Sequence, residues 1–196
     1  MVAHADRERV HPETIPDWRD WLISNHQRST GVWLVSWKTA TGRPRIGYEE
    51  SVVEALTVGW VDSVQRTVDD DRSMLWFAPR KPTSGWSRPN KDRIARLEQE
   101  GRLLPAGLRA VALAKANGAW TMLDDVENLV IPDDLAAALD ALPGARQRWD
   151  AFPRSARRGI LEWIVQARTG STRLRRVTET ADMAARGERA NQWPRG

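Results

Sequence analysis

Residues 31–79 read GVWLVSWKTATGRPRIGYEESVVEALTVGWVDSVQRTVDDDRSMLWFAP, and the changes of period along them decide the fold. In GVWLVSWK (31–38), Val32, Leu34 and Ser36 alternate with Trp33, Val35 and Trp37; all but one are apolar, the pattern of an internal strand. The Thr-Gly-Arg-Pro stretch at 41–44 makes a turn. A helical period then runs through YEESVVEALTVG (48–59), with Val52, Val53 and Leu56 as the inward stripe, Glu50 and Glu54 one turn apart on the other face, and Gly59 as the stop. Alternation returns from Trp60 to Val68, and after Asp69-Asp70-Asp71 the run SMLWFAP (73–79) completes a hairpin. A β-α-β-β unit has too few strands for a doubly wound sheet. It predicts an α+β fold with a small antiparallel-containing sheet packed by helices.

On the N-terminal side, Ile15, Trp18, Trp21 and Leu22 form a helical stripe, with Thr14 as the N-cap and Pro16 in the first turn. On the C-terminal side, the loop APRKPTSGWSRPN (78–90) is long enough to suggest a function of its own. Helices are predicted at about 89–100, 105–117 and 132–141. A further helix starts at Pro153 and Ser155, with Ile160, Trp163, Ile164 and Ala167 on one face, and Gly170 closes it. Ser171 then caps a last helix whose apolar face is Leu174, Val177, Ala181 and Ala184. The predicted division is an α+β region over 1–118 and a helical region over 119–196, packed as one unit.

The chain has 196 residues, 30 of them Lys or Arg, and a net charge of +4. The charge is uneven: residues 119–142 carry six acids and no base, whereas residues 143–196 carry 12 bases and five acids. A basic helical tail beside an acidic segment suits either internal pairing or an anion or nucleic-acid face. The chain has no Cys, which excludes disulfides, Cys-ligated metal and thiol catalysis. His4, His11 and His26 fit no paired ligand spacing, so no metal site and no cofactor are expected. No window is apolar enough to span a bilayer and the polar start lacks a signal-peptide core, so the expectation is no membrane insertion and a cytoplasmic protein.

Several stretches together resemble the bacterial YdeI/OmpD-associated family, also called bacteriocin-protection proteins, nearly end to end. They are GVWLVSWK (31–38), YEESVVEAL (48–56), GWVDS (59–63), PRKPTSGWSRPN (79–90), GRLLPAG (101–107), AKANGAW (114–120), PDDLAAAL (132–139) and ILEWIVQARTGSTRLRRV (160–177). The pairing of PRxxxSxWSxxN with GWVDS is the specific part. Departures at Ser51, Thr57, Val58 and Leu103 are near core-volume swaps, and Arg168 stands where the family tends to have Lys. The resemblance implies a protection protein against stress or antimicrobial agents.

The polar residues within those motifs are Asp62, Arg80, Ser84, Ser87 and Asn90, joined by Tyr48, Glu50 and Glu54. If Trp60 points inward, alternation puts Asp62 and Val64 on its face, so Asp62 needs a partner, and Arg80 is the natural one. These groups either staple the 79–90 loop, with Ser84 or Ser87 capping the next helix, or line a pocket for a small planar or anionic ligand. In the second case Trp33, Trp60, Trp76 and Trp86 are its walls. Each Trp is explained more readily as core than as a wall, because packing alone accounts for it. Glu50 and Glu54 share a face, but no nucleophile with an activating base and no P-loop or GxGxxG is present, so a non-enzymatic reading is preferred. Arg168, Arg173 and Arg176 form a rival anion-binding set on the last two helices, through which the chain could bind nucleic acid or pair with the acidic 124–140 stretch. The remaining alternative is an enzyme acting on an unknown small molecule through Asp62, Arg80 and Ser87.

Overall fold

The computed structural model describes residues 7–191; His4 and the beginning of the polar N-terminal stretch lie outside them. The fold is α+β, with two compact units. The first comprises the chain up to Ser84 together with Pro89–Asn117, and the second comprises Gly85–Arg88 and the chain from Gly118 onward.

In the first unit a four-stranded sheet has the order β1-β2-β4-β3. Its strands are β1 (Arg9–Val10), β2 (Val32–Trp37), β3 (Trp60–Thr67) and β4 (Arg72–Pro79). β2 and β3 are antiparallel to β4, and β1 is parallel to β2. β1 was not expected from the sequence, because two residues carry no period to read. Helices α1 (Ile15–Asn25) and α2 (Tyr48–Thr57) follow the predicted bounds closely, and Thr14 caps α1 by accepting from the Asp17 N–H at 3.3 Å. Trp18 joins the helices to the sheet: its ring lies 5.3 Å from Phe77, and its indole N–H donates to the Ser51 carbonyl at 3.1 Å. Trp21 meets Trp60 edge to face at 6.0 Å. On the opposite face of the sheet, Trp33, Val35, Met74 and Trp76 form a second buried cluster. Helices α3 (Arg88–Gln99) and α4 (Pro105–Ala116) complete this part of the chain. Gly107 lets α4 approach the end of α2 so closely that an added Cβ would lie 2.4 Å from the Thr57 carbonyl oxygen.

One expectation about side-chain direction is corrected by a bulge. Asp62 pairs with Phe77 and Gln65 with Leu75, so one extra residue enters β3 between them. Gln65, not Val64, therefore follows Asp62 on the helix-covered face, and Val64 is exposed.

The second unit is helical, with α5 (Asp124–Glu127), α6 (Asp133–Asp140), α7 (Ala145–Asp150), α8 (Arg154–Val165) and α9 (Gly170–Ala185). Trp149, Leu135, Leu139, Ile160, Ile164 and Val177 are at the centre of its core. α5 and α7 are too short to show a hydrophobic stripe in the sequence. The cap of α9 is Thr169, which accepts from the Thr172 N–H at 3.1 Å, so Gly170 opens this helix instead of closing the previous one. Val177, Ala181 and Ala184 face inward as predicted, but Leu174 is 67% exposed.

Candidate functional site

The site begins with two serines. On the helix-covered face of the sheet, Leu34 pairs with Leu75 and, one step further, Ser36 pairs with Ser73. Directly opposed positions are filled from both strands, so two hydroxymethyl groups facing each other leave unfilled space where Leu or Val would pack. α2 borders that space with Tyr48 and Ser51. The result is a cavity of about 330 Å³. Leu34, Leu75, Ile46, Trp37 and Met74 supply apolar surface, and Lys38, Thr39 and Arg45 complete the lining with Ser36, Ser73, Gln65, Ser51 and Tyr48.

The lining segment is fixed by local bonds. The Lys38 N–H donates to the Asp71 carbonyl at 2.8 Å, and its ammonium donates to the Asp69 carbonyl at 2.8 Å. Thr41 closes a single turn of 3-10 helix over Thr39–Thr41 by donating its hydroxyl to the Lys38 carbonyl at 2.8 Å, and Gly42 leaves that turn with φ +64°. At the start of α2, the Glu50 carboxylate accepts from the Gly47 N–H at 2.9 Å.

Tyr48 connects the cavity to the motif residues. Its hydroxyl donates to Asp62 Oδ2 at 3.0 Å, and partial burial together with the Asp62 charge holds the phenol above its ordinary pKa. Asp62 thus takes its hydrogen bond from Tyr48. Arg80 acts on Asp62 through its charge, while burial lowers the Arg80 guanidinium to about 10. Asn90 is buried and accepts from Arg93 Nη1 at 2.7 Å. Arg93 also grips Glu49 through Nε at 3.0 and 3.1 Å, which holds the Glu49 carboxyl below its usual range, and its charge acts on Tyr48 and Asp62. The structure therefore brings Tyr48, Asp62, Arg80 and Asn90 into one polar cluster with Glu49 and Arg93. Ser84 sits in the loop with its N–H on the Lys81 carbonyl at 3.0 Å.

The remaining candidates are placed differently. Trp33 and Trp60 are buried in the first unit, at 0% and 1% exposure, and pack as core. Trp86 and Ser87 belong to the second unit, where the Trp86 ring lies 5.1 Å from Trp120. Glu54 is not on an exposed face with Glu50: it is 2% exposed and accepts from Arg19 Nε at 2.9 Å, from Arg19 Nη2 at 2.7 Å and from Arg102. In the second unit, Arg173 forms a two-bond pair with Asp134 at 2.7 and 2.9 Å, Arg176 lies over the Trp163 ring at 4.9 Å and donates to the Trp163 carbonyl, and Arg168 is exposed. The Arg173 pair holds Asp134 below the usual carboxylate range, and Arg158 does the same to Glu127. Among the described residues no group of three or more His, Asp or Glu is placed to hold a metal, and no helix is long and apolar enough to cross a membrane.

Sequence reading missed Ser36, Ser73, Lys38, Arg45, Glu49 and Arg93. A usable signal existed for the serines, because each is polar at an inward position of an apolar strand, but their opposition requires the register. Two family matches accompany this geometry. Residues 10–110 match the family described as a domain of unknown function (DUF8412), and residues 128–187 match the family described as bacteriocin-protection, YdeI or OmpD-associated. No curated protein and no solved structure matches.

Proposed function

Since the chain belongs to that family of unknown function over its first part and carries the YdeI/OmpD-associated domain in its second, we propose that it is a non-enzymatic binding protein acting in protection, with its ligand held in the serine-floored cavity. The observation that carries this reading is the cavity itself. Its volume of about 330 Å³ falls within the span of small-molecule sites, and it joins an apolar floor to a few fixed polar groups. Support also comes from Tyr48, which joins this cavity to the Asp62, Arg80 and Arg93 cluster. A catalytic reading is weaker: the carboxylate with the deepest burial, Glu54, is occupied by two guanidiniums. Arg146, Arg158 and Arg173 lend no support to a nucleic-acid reading, since each is engaged by carboxylates of its own unit.

The test is a thermal-shift screen of small organic compounds against the native protein and Ser73→Trp, whose indole occupies the cavity. A ligand at 100 times its dissociation constant contributes about 2.7 kcal/mol and so raises the melting temperature of the native protein. The reading predicts such a shift in the native protein and none in Ser73→Trp. Equal shifts in both proteins, or none across the screen, contradict it.

A further inference from the structure

We propose that the cavity selects compact organic monoanions, an inference that rests on the binding reading of the same cavity. Two cations, Lys38 and Arg45, are among the lining residues, and no carboxylate is. Their situation differs from that of the cations of this unit that carboxylates hold. Arg19 and Arg102 are held by Glu54, and Arg93 by Glu49, whereas among the described residues neither Lys38 nor Arg45 forms an ion pair. Lys38 spends one ammonium N–H on the Asp69 carbonyl and has two more to offer, and Arg45 has the planar donor fork that suits a carboxylate. A cationic ligand would meet two like charges here. A neutral one would draw no attraction from either charge.

Size and shape narrow the class further. A space of about 330 Å³ lies at the small end of small-molecule sites, the scale of a single ring bearing one acidic substituent. The ring has a floor to lie on, since Leu34 and Leu75 are direct cross-strand partners, and Ile46 is buried beside them. The serine hydroxyls of the opposed pair lie further along the same strands, toward Lys38. The hydroxyl proton of Tyr48 is already given to Asp62, so the charge of the ligand is left to Lys38 and Arg45. The ligand class is therefore a one-ring carboxylate or its close equivalent, with the ring on the leucines and the anionic group between the two cations.

Three one-ring probes of similar size separate charge from shape: benzoate, benzamide and benzylamine, titrated by nuclear magnetic resonance into the native protein, Arg45→Met, Lys38→Met and Ser73→Trp. The proposal predicts that benzoate binds at least about tenfold tighter than benzamide and benzylamine. It further predicts that this ratio falls to within about threefold in Arg45→Met and in Lys38→Met, and that Ser73→Trp binds none of the three. Benzamide or benzylamine binding as tightly as benzoate, with Ser73→Trp still silent, overturns the selection for anions while leaving the cavity as a binding site. Binding of all three that persists unchanged in Ser73→Trp overturns both. Failure of all three probes overturns the inference, and the broader thermal-shift screen then judges the binding reading separately.

Discussion

Removing Arg19 destabilises the first unit more than removing Arg102, and the reason lies in how the two share Glu54. The Glu54 side chain is 3% exposed, while the Arg19 and Arg102 side chains are 44% and 38% exposed. Arg19 makes two charge-assisted bonds to the carboxylate and Arg102 makes one. Such a bond is worth about 1.5–3 kcal/mol net. The half-exposed guanidiniums recover water when the contact is lost, which reduces that figure by about half. Arg19→Met then costs about 1.5–3 kcal/mol and Arg102→Met about 0.75–1.5 kcal/mol. The double variant costs more than their sum, because it leaves a buried carboxylate with neither partner. Since the chain has two compact units, a local readout separates the effect on the first unit from the second. Amide hydrogen exchange within α2 reports the local free energy directly. If both single variants leave α2 protection within about 0.5 kcal/mol of native, the noise of ordinary surface substitutions, Glu54 is not the anchor described here.

Gly107→Ala tests packing against propensity. A helical Gly replaced by Ala should gain about 1 kcal/mol, but the Cβ would lie 2.4 Å from the Thr57 carbonyl oxygen, so the net effect is a loss of about 1–3 kcal/mol, read by urea unfolding of the first unit. Acid titration gives a third prediction. Glu127 and Asp134 are held below their usual ranges by Arg158 and Arg173, so the stability they contribute is complete above their unfolded values of about 4 and disappears as pH falls through the lower folded values. Circular dichroism should show the helical unit losing stability below about pH 4, and Arg158→Met should make that loss shallower. Trp149→Ala removes a fully buried indole from the centre of the second unit and should cost that unit about 3–5 kcal/mol, measured by hydrogen exchange in α8 and α9.

The sheet and the longer helices were legible because each repeats a period several times. GVWLVSWK and SMLWFAP read as strands and pair in the structure, residue for residue, over Val32–Trp37 and Arg72–Phe77. What escaped had no period to show: β1 spans two residues, α5 four and α7 six. The bulge after Asp62 was also invisible, since an inserted residue changes direction without changing composition. At the site, Tyr48, Asp62, Arg80 and Asn90 were legible as polar residues within motifs, and they do gather. Glu49 and Arg93, which tie that gathering together, are separated by 44 positions on two helices, and no spacing rule links them. The cavity was legible only in retrospect, because it arises from two small residues meeting across a register.

The central claim is that the space above Ser36 and Ser73 is a ligand site. Backbone amide shifts recorded during a benzoate titration test it most directly. The account predicts that the saturating shifts concentrate on Ser36, Lys38, Arg45, Tyr48 and Ser73, with the helices of the second unit unmoved. Saturating shifts that instead fall on α9 around Leu174, with none around the two serines, would contradict it.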